Sequence, residues 1–167
     1  GYDGGMCGAG WHMLINARGY PAYLAANQER NGTIPPPPDL ARQASWQPAI
    51  PADGLYRVEA YIPGHDPLQW SCPDAELGGD TATAYYSVQH AEGKTAKTAS
   101  QAASADSWLL LGIYPFRVGV AAKITLDTAT DEAAYTRTVA ASALRVTRVE
   151  NAPIGKEFVY LPQIILR

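Results

Sequence analysis

The chain has 167 residues, enough for one domain with a full core and some extended appendages. Hydrophobic residues make up 47% and charged residues only 17%, with Ala, Thr, Gly, Pro and Tyr filling the balance, a mix that suits an all-β fold rich in turns. A net charge of −3 without a basic run argues against sequence-independent attraction to nucleic acid, and no window approaches the roughly eighteen apolar residues of a membrane helix.

Residues 1–40 read as an irregular N-terminal arm, with five glycines in the first ten positions and a stiff polyproline spacer from Pro35 to Pro38. The first residue, Gly1, is neither an initiator Met nor the start of a signal peptide, so the chain reads as a mature or trimmed product. Cys7 and Cys72, both in loop-like surroundings, are compatible with one disulfide, the alternative being two unrelated buried thiols. Such a bridge would contribute roughly 4 kcal/mol in the chain-entropy account.

Residues 41–150 read as the sandwich domain. A first strand is expected over Ala44–Pro48, then a turn at Pro51-Ala-Asp-Gly54, where Pro fixes φ and Gly tolerates a positive one. In the next strand Tyr56, Val58, Ala60 and Ile62 share one face. Residues 63–81 form the one long insertion. From Ala84 to His90 the inward set is Ala84, Tyr86 and Val88, with His90 in phase at the strand end, and Ala91-Glu-Gly93 turns the chain into a strand over Lys94–Ser100. Ser107 to Arg117, with Trp108 and three leucines, is expected to be central. Val120, Ala122, Ile124 and Leu126 alternate, as do Leu144 and Val146. Period-two strands spaced by turn signals, with no long helical pattern, predict an antiparallel β-sandwich.

Residues 151–167 form a C-terminal linker and apolar strand. There Phe158, Tyr160, Ile164 and Leu166 face one way, while Val159, Leu161 and Ile165 face the other. A strand apolar on both faces wants cover on both, and its exposed edge would invite pairing. Pro162 interrupts an ideal ladder, although an edge or bulge accepts it.

Between about residues 44 and 149 the chain resembles the golvesin and xanthan-lyase carbohydrate-binding-like domain. The matching residues are Trp46-Gln-Pro48 with Ile50 to Val58, Ala84 to Gly93, Gln101, Trp108 to Phe116, and Ala143 to Val146. The resemblance implies an extracellular, jelly-roll-like β-sandwich that is non-catalytic and attached to secreted or cell-surface proteins. It supplies no defined ligand site.

Two functions are expected from these features. In the first, the chain is a structural subunit of an extracellular filament or surface layer. Its segment carrying Phe158, Val159, Tyr160, Leu161, Ile164, Ile165 and Leu166 is donated as a strand to another copy. In the second, it is a carbohydrate-binding module of a larger secreted protein that offers Tyr61, Trp70 and Tyr85 as sugar platforms. No enzyme is expected: His65-Asp66 is an acid/base pair in principle, but no nucleophile motif accompanies it. No cofactor is expected either. Asp74, Glu76 and Asp80, and separately Asp127, Asp131 and Glu132, are oxygen-rich enough for calcium but lack its ligand spacing, so solvated loop acids are the default.

Overall fold

The computed structural model describes residues 11–15, 20–30, 43–65, 77–149 and 157–164. Fourteen strands and no helix occur among them: β1 (His12–Ile15), β2 (Pro21–Ala26), β3 (Gln28–Glu29), β4 (Gln43–Trp46), β5 (Gly54–Ile62), β6 (Ala84–His90), β7 (Gly93–Ala99), β8 (Ser107–Phe116), β9 (Lys123–Asp127), β10 (Ala129–Thr130), β11 (Thr138–Ala141), β12 (Leu144–Arg148), β13 (Glu157–Tyr160) and β14 (Gln163–Ile164). A four-stranded sheet in the order β13-β12-β5-β8 faces a five-stranded sheet in the order β14-β4-β9-β6-β7. A three-stranded sheet, β1-β2-β11, and a short parallel pair, β10-β3, complete the molecule.

The core lies between the two large sheets. Tyr56, Val58, Ile62, Leu144 and Val146 from one layer meet Trp46, Tyr86, Val88, Ile124 and Leu126 from the other, each at most 1% exposed. These are the inward positions that a period of two selects. Trp46 also donates from Nε1 to the Ser142 carbonyl at 2.9 Å, so its one polar atom is satisfied. Buried Gln101 donates to the Tyr86 hydroxyl and the Ala140 carbonyl, and accepts from the Ala140 N–H. Burial pushes the Tyr86 hydroxyl well above its ordinary pKa, the Gln101 hydrogen bond offsetting part of that rise.

Strand β8 departs from expectation. It borders the four-stranded sheet at its edge instead of running through the centre. Its register against β5 shifts between Val58 and Glu59, so that Gly112 faces Val58 while Leu110 faces Glu59, and Leu111 is the extra residue of a β-bulge. The bulge reverses the alternation: Leu111, Tyr114 and Phe116 point inward, and Leu110 and Ile113 point outward at 51% and 53% exposure. The Tyr114 hydroxyl donates to the Leu111 carbonyl. A Cβ at Gly112 would meet that hydroxyl at 2.6 Å, and φ there is +152°, so the site requires glycine.

Part of the N-terminal arm joins this architecture. Strand β2 pairs with β11, Leu24 opposite Ala140, and Ala22, Leu24 and Ala25 are buried. At the end of β2, Asn27 is fully buried and clamps the loop after β10. Its Nδ2 donates to Thr130 Oγ1 and to the Glu132 and Ala133 carbonyls, and its Oδ1 accepts from the N–H groups of Thr136 and Arg137.

The C-terminal ribbon pairs within its own chain. Phe158 faces Val146 and Tyr160 faces Leu144 across β13–β12, and β14 then borders β4, with Gln163 opposite Ser45. The Tyr160 hydroxyl donates to the Ala49 carbonyl at 2.9 Å. Donation of this ribbon to a neighbour is therefore not the arrangement seen: edge strands β12 and β4 of the same sandwich accept it. Val159 and Leu161 remain 44% and 54% exposed. Ile165 and Leu166 lie outside the described residues.

Candidate functional site

The outward side of each large sheet is what remains for recognition once the core is filled. On the five-stranded sheet the outward row through β7, β6 and β9 contains Thr98, Tyr85 and Asp127, with Gln43 of β4 next in line. The following row is Ala96, Ser87, Thr125, Ser45 and Gln163, and the last is Lys94, Gln89 and Lys123. Apart from one alanine, every one of these side chains can hydrogen-bond or carries charge.

Tyr85 is half-buried, and the Arg30 guanidinium lies over its ring at 4.3 Å from the centroid. Arg30 arrives from the end of β3, and Asp131 approaches its Nε at 3.7 Å. Beside Tyr85, Asp127 is 8% exposed; its Oδ2 accepts from Gln43 Nε2 at 3.2 Å and its Oδ1 from the Ala129 N–H at 2.9 Å. Five buried polar side-chain atoms lack a hydrogen-bond partner among the described residues, and Arg30 Nε and Ser87 Oγ of this face are two of them. Gln28 Nε2, two residues before Arg30, is a third.

The other outward side, that of the four-stranded sheet, is chemically different. Leu55, Leu110, Ile113, Val149 and Val159 are between 42% and 53% exposed there. At one end Trp108 is closed in: Arg145 sits 4.4 Å over its ring, and Tyr20 and Tyr61 stand 6.3 Å and 5.4 Å from its centroid. Arg145 is held in turn by Glu59 at 2.9 Å.

The three aromatics expected as sugar platforms therefore separate. Tyr85 lies on the polar face. Tyr61, which simple alternation exposes, is 2% exposed because Tyr20 and Trp108 cover it and its hydroxyl donates to Asp106. Trp70 lies outside the described residues, as do Cys7 and Cys72. Arg30 was not among the expected site residues; nothing in the arm's sequence signals that its one described arginine crosses to Tyr85.

The acidic loops are occupied by donors. Asp80 bonds His65 Nε2 at 2.9 Å, so His65 is engaged by Asp80. Glu132 accepts from Thr81, from the Ala82 N–H and from Thr83. Partial burial raises the Glu132 carboxyl, but the hydrogen bonds outweigh it and hold the group below its usual range. No group of three or more potential metal ligands occurs among the described residues, and Asp74 and Glu76 lie outside them.

The golvesin C-terminal domain family matches residues 23–148. The chain belongs to that family. A xanthan lyase from Paenibacillus has the same fold, with a TM-score of 0.60, 21% identity, 85% of this chain covered and 12% of the lyase chain. This chain thus spans about an eighth of that longer polypeptide. No curated protein matches. The match begins at residue 23, so most of β2 and all of β3, with Asn27 and Arg30, fall inside the family's span. Among the described residues no helix is long and apolar enough to cross a membrane.

Proposed function

We propose that this domain is a non-catalytic accessory unit of a larger secreted protein and that it binds polysaccharide on the outward side of its five-stranded sheet. The observation that carries this reading is the Arg30–Tyr85 stack set among Gln43, Ser87, Thr125 and Asp127. A sugar chain presents dense hydroxyls and apolar C–H faces, so it needs paired donors and acceptors beside an aromatic ring. A sheet supplies them on a rigid frame, so little ordering entropy is lost on binding. The family membership and the small share of the lyase that the fold occupies support the accessory role.

The test is affinity electrophoresis through gels containing different polysaccharides, followed by calorimetry on whichever retards the protein. Tyr85→Ala should weaken retardation, with an affinity about tenfold lower, while leaving the thermal unfolding profile nearly in place. Retardation unchanged in that variant would remove this face from the account.

A second reading, association between copies, is favoured by the apolar outward side of the four-stranded sheet. Exposed aliphatic residues gathered on one side mark contact surfaces more often than sugar sites, and here they stand among Arg57, Glu59 and Arg145. It differs from strand donation in leaving the C-terminal ribbon where it is. Sedimentation over a wide concentration range tests it, a monomer throughout being the outcome that removes it.

A further inference from the structure

We propose that the polysaccharide this domain selects carries carboxylates, and that Lys94 and Lys123 are the residues that select it. The proposal rests on the polysaccharide reading above and extends it along the same face. Gln89 is paired with Lys94 on one side and with Lys123 on the other, so a cation–amide–cation row crosses three strands. Adjacent strands are about 4.8 Å apart, which places the two lysine backbones about 10 Å from each other. Four residues along β6, about 13 Å away, stands Tyr85 with Arg30 over its ring.

The charge on this face runs against that of the molecule. The chain as a whole is at −3, yet Arg30, Lys94 and Lys123 share this one face. Its one acid within the strand rows is Asp127, buried and already accepting from Gln43 and Ala129. Glu92 in the β6–β7 turn and Asp131 beside Arg30 stand at the margins. Neither Lys94 nor Lys123 has an ion-pair partner among the described residues. At about 10 Å the two ammonium groups repel only weakly, and an anion lying across Gln89 would attract both.

Gln89 and Lys123 also line an open groove of about 460 Å³, with Gln47, Pro48, Ile50 and Val120 among the other residues of its wall. A groove with an aliphatic wall, two amides and one cation suits a sugar ring with one acidic group. Three cations spread over more than 10 Å fit a polymer with at most one carboxylate per sugar better than a densely sulfated one, whose repulsion they would leave largely uncompensated.

The experiment compares polygalacturonate, a neutral polysaccharide such as galactomannan, and dextran sulfate as probes, using the intact chain and a Lys94→Gln, Lys123→Gln double variant. Both lysines lie outside the core, so the variant should keep its unfolding midpoint. Polygalacturonate should bind the wild-type chain at least tenfold more tightly than galactomannan at low ionic strength. The advantage should vanish in the double variant and fade as salt shortens the Debye length toward 3 Å at 1 M. Equal binding of the neutral and acidic chains, unaffected by the variant, would overturn the carboxylate proposal and leave polysaccharide binding standing. Dextran sulfate bound as tightly as polygalacturonate would also overturn it, by reducing the effect to bulk charge. Failure to bind any of the three, with folding intact, would overturn this inference; if the Tyr85-dependent retardation is absent as well, the polysaccharide reading falls with it.

Discussion

The outward sides of the two sheets share a construction and differ in chemistry. On the five-stranded sheet, Tyr85, Ser87 and Gln89 project from β6 beside Thr125 and Lys123 of β9. On the four-stranded sheet, Arg57 and Glu59 of β5 are flanked by Leu110 and Ile113 of β8, with Val159 at the far edge. The inward sides are interchangeable in kind, both aliphatic and aromatic, because burial leaves them little choice. Outward positions have that choice. A solvent-facing side with hydroxyls, amides and cations needs no explanation from stability. A side with half-exposed Leu110 and Ile113 pays in solubility unless something else covers it.

Four perturbations would break or sharpen this contrast. The largest effect should come from Asn27→Ala, which strips the clamp on the loop carrying Asp131 and Glu132 at the border of the polar side. Leaving several buried backbone groups unpaired should cost roughly 3 kcal/mol, read as a lower urea midpoint with an unchanged m-value. Tyr85→Ala comes next: polysaccharide affinity should fall about tenfold, equivalent to about 1.4 kcal/mol. Its stability should fall by no more than the roughly 1 kcal/mol of an exposed cation–π contact. Placing charge on the other side, with Leu110→Lys and Ile113→Lys together, should leave stability within about 0.5 kcal/mol and sugar binding unchanged. It should reduce hydrophobic-dye binding and any self-association. If that pair instead abolishes sugar binding, the roles of the two sides are reversed.

The smallest effect is a pH dependence. Glu132 has a carboxyl pKa below its unfolded value, so its contribution is fully present above about pH 4.5. It is lost as the pH falls through the lower folded-state value. Glu132→Gln should therefore lower the melting temperature at pH 7 and flatten its fall between pH 5 and pH 3, the two proteins converging at the acid end. A wild-type slope surviving in that variant would assign the acid sensitivity to other carboxylates.

Much of the sandwich was legible because β5, β6, β9 and β12 keep a strict period of two, and their inward residues are those that alternation names. The bulge at Leu111 was not. Each half of β8 alternates normally, and only the pairing with β5 reveals that the phase slips by one, turning three adjacent leucines into an edge strand with an exposed side. Strand β2 was hidden for a different reason: its partner β11 lies more than a hundred positions away, and Pro21 to Ala26 shows no clean alternation. On the candidate site, Tyr85 was readable from its place in β6. Tyr61 was misplaced by the same logic, since alternation says which way a side chain points but not what stands over it. Arg30 and Asn27 act across distances that only folding supplies. The golvesin-type resemblance was read from residues 44–149, whereas the family match starts twenty-one residues earlier, in the stretch where Asn27 and Arg30 lie.

The C-terminal ribbon leaves the four-stranded sheet at Tyr160 and joins the five-stranded sheet at Gln163, with only Leu161 and Pro162 between. One short length of backbone is thus stitched to both layers. Sliding one layer over the other would have to stretch that stitch or tear a strand from its border, so the ribbon serves the sandwich as a mechanical fastener against shear.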